Sequence, residues 1–366
     1  MYTCPLEGSP RMINAQYRAT NMLQSMGMPG APRGAEPAVS NRQAKSRCGS
    51  SICGAIAISL LVFSHSPTRA ADNVRIGVGI DPSFTTWWIA KDRGFFNKHN
   101  INADITQFSG TPDMADATMA GEVDFGSSGT ATYMPRFVRA DALLIVATMA
   151  NSTDNFKIAA HTSIKTLPEL KGKRVGTVAS STTDYLWALL IKKLNIADSE
   201  INIIPVTPPE LPAALDRGDI QAFFCWEPWP SRAVEISGKD KVHILGSSRD
   251  AGYFQNYVLA GNKKYIQANP DVTVRVLMAL REASDYLARQ KADAIKIAAE
   301  RNKLSPQLAE YILGLYQFRM SLTDAVAEGA KVEEAWLRSK DRLKGNPIDW
   351  TKVIDRTYFD KAMAAK

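Results

Sequence analysis

Two stretches of this 366-residue sequence are copies of one pattern, and the repeat limits the fold more than any other feature. The first runs "VRIGVGIDPSFTTWWIAKDRGFF": Arg75-Ile76-Gly77, an apolar strand, the hydroxyl residues Ser83, Thr85 and Thr86, then an aromatic helix. The second runs "RVGTVASSTTDYLWALL": Arg174-Val175-Gly176, a strand, Ser180 to Thr183, then a helix carrying Tyr185 and Trp187. Each is followed by a second signature, "AGEVDFGSSGT" and "RGDIQAFFCWEP", in which Gly121 lies 46 residues after Arg75 and Gly218 lies 44 after Arg174. In both, Gly-acid-apolar closes a helix and opens a strand, the place for a glycine just past a helix end. Strands alternating with helices at this length predict right-handed βαβ units on mainly parallel sheets, so the chain reads as two similar α/β halves.

In open parallel sheets ligands bind outside the carboxyl ends of the strands. The hydroxyl runs fall there. Ser83, Thr85 and Thr86, then Ser127, Ser128 and Thr130, then Ser180 to Thr183 each stand between a strand and the first turn of a helix, where free N–H groups and the dipole favour an anion. A single such run is ordinary N-capping. Three at equivalent places in a repeated architecture point to a small oxyanion, a sulfonate being one example.

How much of the chain belongs to this fold is decided at its N-terminus. "NRQAKSRCGS" is a basic run ahead of the twelve-residue apolar segment Ile52 to Phe63, followed by the small-residue site "SPTRAAD". Twelve residues fall short of the ~20 a membrane-crossing helix needs, and the order matches a Sec-type signal peptide cleaved after Ala70 or Ala71. Residues 1–70 hold seven of the 44 basic and two of the 37 acidic residues, leaving 37 against 35, a net of +2. The mature chain therefore carries no basic patch that would support nucleic acid or a membrane surface as partner. It keeps one cysteine, Cys225, hence no internal disulfide, and about 296 residues are enough to bury a core without one.

"STTDYLWALLIKKL", "RGDIQAFFCWEPW", "SIKTLPELKGKRVGT", "AGEVDFGSSGT" and "IAKDRGFFNKHNI" together resemble the periplasmic solute-binding proteins of ABC importers for sulfonates, taurine and nitrate, a family that includes relatives of the thiamine-pyrimidine synthase. The resemblance spans about residues 73–360. It implies a type II periplasmic binding protein fold: two lobes, each a mainly parallel sheet flanked by helices, joined by two crossing strands. Residues 71–154 then begin lobe 1, 155–255 form lobe 2, and 256–366 return to complete lobe 1 with helices. "NFKIAAHTSI" and "NYVLAGNKKYI" are the expected crossing strands, and Asn269 with Pro270 the expected start of a long helix. The implied partners are a small anionic ligand and an ABC permease in the inner membrane with its ATPase. No cofactor, metal or nucleic acid is expected, and the protein is expected to act as a monomer in the periplasm. The Ser-Thr-Thr run followed by an aromatic looks most like the taurine and alkanesulfonate binders.

The residues expected at the ligand are Ser83, Phe84, Thr85, Trp87, Ser127, Ser128, Thr130, Ser181, Thr182, Thr183, Tyr185, Trp226 and Glu227. Adjacent tryptophans cannot share one helix face, so Trp88 is assigned to the core and Trp87 to the cleft, where Phe84, Tyr185 and Trp226 would help select the organic tail. Glu227 is the acid expected to meet an ammonium if the ligand is an aminosulfonate; as the alternative it caps a helix or holds a salt bridge. Asp184 reads as a helix-dipole partner. His99, His161 and His243 have no metal spacing. The rival reading is an enzyme: relatives include desulfinases with a nucleophilic Cys and the iron-dependent pyrimidine synthase. Cys225 lacks a visible base or cation and lies in an apolar run, which argues against it. Nitrate, bicarbonate or a thiamine precursor remain alternative ligands within the family.

Overall fold

A computed structural model describes residues 70–365, so the apolar segment 52–63 lies outside the described residues. In chain order the strands are β1 (Asp72–Val78), β2 (Ile101–Gln107), β3 (Phe125–Gly129), β4 (Leu143–Ser152), β5 (Phe156–His161), β6 (Arg174–Thr177), β7 (Asn202–Pro205), β8 (Ala222–Trp226), β9 (Val242–Ser247) and β10 (Gln255–Asn262). They form two five-stranded sheets with orders β2-β1-β3-β10-β4 and β7-β6-β8-β5-β9. In the first, β10 runs antiparallel to both neighbours. In the second, β5 does the same. Each sheet therefore has four strands pointing one way and one inserted against them. The chain passes between sheets at 153–155 and again at 248–254, and β5 and β10 are the strands that follow these passages.

The sequence repeat has a common physical basis in both lobes. β1 meets β3 with Ile76 opposite Phe125 and Gly77 opposite Gly126, and β6 meets β8 with Val175 opposite Ala222 and Gly176 opposite Phe223. A Cβ on Gly77 would stand 2.7 Å from Met114 Cγ, and one on Gly176 2.7 Å from Leu211 Cδ2. The glycine lets the following helix, Thr111–Ala120 in one lobe and Leu211–Asp216 in the other, sit directly on the sheet. The arginine two residues earlier reaches the Gly-acid turn in each case. Arg75 Nε donates to Asp124 Oδ2 at 3.3 Å, and Arg174 donates to the Gly218 and Asp219 carbonyls at 2.7 and 2.6 Å. Gly121 and Gly218 have φ of +77° and +78°, the left-handed conformation that ends those helices.

The C-terminal helices finish the first lobe. Pro270–Arg289 packs on Thr85–Asp92, burying Val272, Val276 and Leu280, while Gln317, Ser321 and Ile354 bridge to β4 and cover its outer edge. Pro270 opens the long helix, but Asn269 does not cap it with its side chain: Nδ2 donates to the Tyr265 carbonyl at 3.0 Å and closes the preceding helix instead. No helix among the described residues is long and apolar enough to cross a membrane.

Candidate functional site

The site lies between the lobes, and four elements of lobe 1 face three of lobe 2. Asp81 follows β1, Thr111 opens the helix after β2, Ser128 and Gly129 end β3, and Gln255 and Tyr257 begin β10. Opposite them stand Phe156 at the start of β5, Thr182 at the start of helix Thr182–Lys193, and Trp226 at the end of β8. The lobes are in close contact: the space left is about 10 Å³ for the centre of a water-sized sphere, the room of about one water molecule. A Cβ on Gly129 would lie 2.4 Å from Thr182 Oγ1 on the opposite lobe.

Of the thirteen residues expected at a ligand, Ser128, Thr182 and Trp226 line this space. The rest divide by what already occupies them. Ser181 is the N-cap: its Oγ donates to the Val178 carbonyl at 2.7 Å and accepts from Thr183 N at 3.1 Å, while Thr183 Oγ1 serves the same turn. Thr85 Oγ1 donates to the Pro82 carbonyl at 2.7 Å. The Thr130 hydroxyl donates to Glu333 on helix Asp324–Ser339. Successive side chains on a strand point to opposite faces, so Ser127 turns away from the space Ser128 faces, and its hydroxyl is buried without a partner. Ser83 presents its backbone N–H to Asp81 Oδ1 at 2.8 Å.

The aromatic assignments need correction. Trp87 is fully buried, its ring 6.5 Å from Phe96, because helix Thr85–Asp92 turns that face toward helix Phe95–Lys98. Trp88 is also buried and lies under the Arg301 guanidinium at 4.4 Å. Phe84 belongs to the core beside Gly79. Tyr185 stacks edge-on with Tyr253 and Trp336, with centroids 5.6 and 5.1 Å away, beside the cavity rather than in it. Glu227 is fully buried and caps helix Trp229–Ser237, accepting from Ser231 N at 3.1 Å and Ser231 Oγ at 2.9 Å, so its oxygens serve the protein. Asp184 Oδ2 accepts from Ser180 N at 2.7 Å at the head of its helix.

Sequence reasoning did not select Asp81, Thr111, Phe156, Gln255 or Tyr257 for the site. Asp81 and Thr111 stood in plain view after parallel strands, each directly before a proline. The other three had no usable signal, because they begin antiparallel strands, whose amino ends rather than carboxyl ends reach the cleft. Phe156 packs edge-on against Trp226 at 6.3 Å, and the Tyr257 hydroxyl accepts from Asn155 Nδ2 at 2.6 Å. Gln255 is buried with Oε1 unpartnered.

Three buried carboxyls surround or adjoin the site. Burial pushes Asp81 up to about 6, Glu227 up to about 7 and Glu333 up to about 7, against only partial relief from hydrogen bonds to Ser83, Ser231, and Thr130 with Tyr253. Unfolded carboxyls titrate near 4. Each group therefore gives the ligand-free protein stability that is fully present below about pH 4 and is lost as pH rises through 6 to 7, with a ceiling on the order of 3–4 kcal/mol per group. The melting temperature of the ligand-free protein should be higher at pH 5 than at pH 8, and Glu333→Gln should flatten that difference. A melting temperature that rises steadily from pH 5 to 8 in differential scanning calorimetry would contradict this.

Cys225 sits on β8, fully buried, and burial raises its thiol well above the usual value. Its charged neighbours Glu227 and Asp81 are acidic and push the same way, so the thiol stays protonated at neutral pH. Among the described residues no group of three His, Cys, Asp or Glu side chains is placed to hold a metal. A wider hollow at the outer base of lobe 1 is lined by Arg75, Asp124, Asp141 and Lys263, whose charges pair with one another, Lys263 with Asp141 at 2.6 Å.

Comparison with known proteins bears on the family and the fold. The chain is 24% identical over 298 residues to a putative aliphatic sulfonates-binding protein of Bacillus subtilis, covering 79% of this chain and 88% of that one. A putative aliphatic sulfonates-binding protein of Escherichia coli is 25% identical over 262 residues, covering 70% and 80%. The solved alkanesulfonate-binding protein SsuA of Xanthomonas axonopodis pv. citri, bound to MOPS, superposes with a TM-score of 0.70 at 20% identity, covering 79% of this chain and all of that one. The two-sheet architecture is thus the periplasmic binding protein fold. The profile described as NMT1/THI5 like matches residues 81–294, more than half of the sequence, and the chain belongs to the NMT1/THI5-like family.

Proposed function

We propose that this protein is the solute-capturing component of an ABC importer and that its ligand is a small organic sulfonate. The observation that carries this reading is that two hydroxyl residues from opposite lobes, Ser128 and Thr182, line one space between them. A sulfonate has three acceptor oxygens and can take donors from both lobes at once. The present space is far too small for such a solute, so binding requires the lobes to part and close again about 153–155 and 248–254. A ligand that bridges both lobes favours the closed state because only there are both sets of donors satisfied. The aliphatic sulfonate binders among the relatives support the substrate class.

In this reading residues 1–70 export the chain to the periplasm, cleavage follows Ala70 or Ala71, and a permease with its ATPase receives the solute. The protein acts alone as a monomer and performs no chemistry, in keeping with the protonated, buried Cys225. The test is a thermal-shift screen of the purified protein against taurine, alkanesulfonates, aryl sulfonates, nitrate, bicarbonate and aminopyrimidines, followed by titration calorimetry of each hit. At least one sulfonate should bind with a micromolar or lower Kd. A screen in which nitrate, bicarbonate or a pyrimidine binds and no sulfonate does would replace the reading.

A further inference from the structure

The lobes also touch through side chains that do not line the space between them. Arg232 stands on helix Trp229–Ser237, which packs on β5, β8 and β9 of lobe 2. Its Nη2 donates across to lobe 1, to the carbonyl of Asn302 and, at 3.2 Å, to that of Lys303. Those carbonyls end helix Lys291–Asn302, which packs on helices Thr85–Asp92, Pro270–Arg289 and Pro306–Leu313. The last carbonyls of a helix lack partners within it and carry the negative end of its dipole, so a guanidinium suits them in hydrogen bonding and in charge. The Trp229 ring backs that guanidinium at 5.0 Å.

Helix Asp324–Ser339 and the turn after it make a second crossing. The helix packs on Thr130–Arg139 of lobe 1, while its Trp336 ring meets Tyr185 of the lobe 2 helix Thr182–Lys193 edge-on at 5.1 Å. Arg342, whose guanidinium lies 6.0 Å from the centre of the Trp336 ring, donates from Nη1 to the Asp184 carbonyl at 3.2 Å. Glu333 accepts from the Thr130 hydroxyl and, at 2.6 Å, from the Tyr253 hydroxyl in the passage 248–254. From these contacts we infer that two clasps, one at Arg232 and one at helix Asp324–Ser339, hold the lobes closed in solution whether or not a solute is bound. The resting arrangement is the closed one, and opening is the brief step that admits a solute. The inference rests on the hinged opening proposed above and is independent of which solute is captured. A hydrogen bond from a guanidinium to helix-end carbonyls favours closure about tenfold. Two such bonds turn an even balance of open and closed into about one open molecule in a hundred.

Small-angle scattering of the protein, refolded from denaturant to strip any carried solute, tests this with no ligand present. The wild-type radius of gyration should match the closed arrangement. Arg232→Ala and Arg342→Ala combined in one chain should give a larger radius, with each single variant in between. Arg301→Ala is the control, because that guanidinium lies over Trp88 and pairs with Asp92 entirely within lobe 1. Its loss should lower the melting temperature and leave the radius at the wild-type value. A solute-free wild type as extended as the double variant overturns the inference, and that comparison with the closed arrangement needs no variant to fold. A double variant as compact as the wild type overturns it as well, and so does an equal expansion on Arg301→Ala, which would make the effect a general loosening. The sulfonate reading is decided separately by the solute screen, since no solute enters this measurement.

Discussion

Gly129→Val should lower ligand affinity by roughly ten- to a hundredfold while leaving the protein folded. Gly129 ends β3 with φ −68° and ψ 152°, a conformation open to every residue, so the substitution introduces no backbone strain. What it introduces is volume at the point where the lobes meet. A Cβ there would lie 2.1 Å from Gln255 Nε2 and 2.4 Å from Thr182 Oγ1. The Gln255 amide can swing aside within its own lobe. Thr182 is fixed in the first turn of helix Thr182–Lys193, and the further methyls of valine can be accommodated only by holding the lobes apart. Each 1.4 kcal/mol added to the cost of closure reduces affinity tenfold, and overpacking of one to three kcal/mol is ordinary for inserted methylenes in a packed region. Titration calorimetry measures the loss. Small-angle scattering should show the variant remaining open at ligand concentrations that compact the wild type. Affinity within threefold of wild type would mean that the lobes do not close on this contact.

Thr182→Ala should weaken binding by ten- to a hundredfold, and Ser128→Ala on the other lobe should act similarly. A charge-assisted hydrogen bond from a hydroxyl to a buried anion contributes about 1.5–3 kcal/mol, which converts to one or two decades of affinity. Because the two grips act through one closure, the double variant should lose less than the two single losses added. The neighbours supply a control. Ser181→Ala and Thr183→Ala remove the cap of the same helix, so they should cost about 1 kcal/mol of stability and leave affinity near wild type. If Thr182→Ala behaved like Ser181→Ala, the whole run would be a helix cap and the ligand would be held elsewhere.

The contrast between these four hydroxyls illustrates what a sequence conveys about such a protein. Period, spacing and turn chemistry are local properties, and they were sufficient for the architecture. The Arg-x-Gly strands, the Gly-acid turns that their arginines reach, and the hydroxyl runs after the strands all follow from short-range rules, and a repeat of them implies two lobes of one design. The rules also point to the side of each parallel strand where a ligand belongs. Asp81 and Thr111 were within reach of the same rule.

Tertiary structure decided the rest, for two physical reasons. The first is direction: β5 and β10 read as strands from their composition, but only pairing with β8, β9, β3 and β4 reveals that they run against their sheets. Reversal brings their first residues to the cleft, and with them Phe156, Gln255 and Tyr257. The second is competition for hydrogen bonds. Ser181, Thr183, Thr85 and Thr130 are as polar as Thr182 and Ser128, yet each is satisfied by a carbonyl, a cap or Glu333, which arrives from helix Asp324–Ser339, 203 residues beyond Thr130. Glu227 gives up its expected part for the same reason, since Ser231 engages it, whereas Asp81 lines the cavity. The sequence by itself determined which residue types stand near the ligand cleft. Which of them are free to bind was decided only when the whole chain had folded, because a hydrogen-bonding group is available to a ligand only if no other part of the protein has satisfied it.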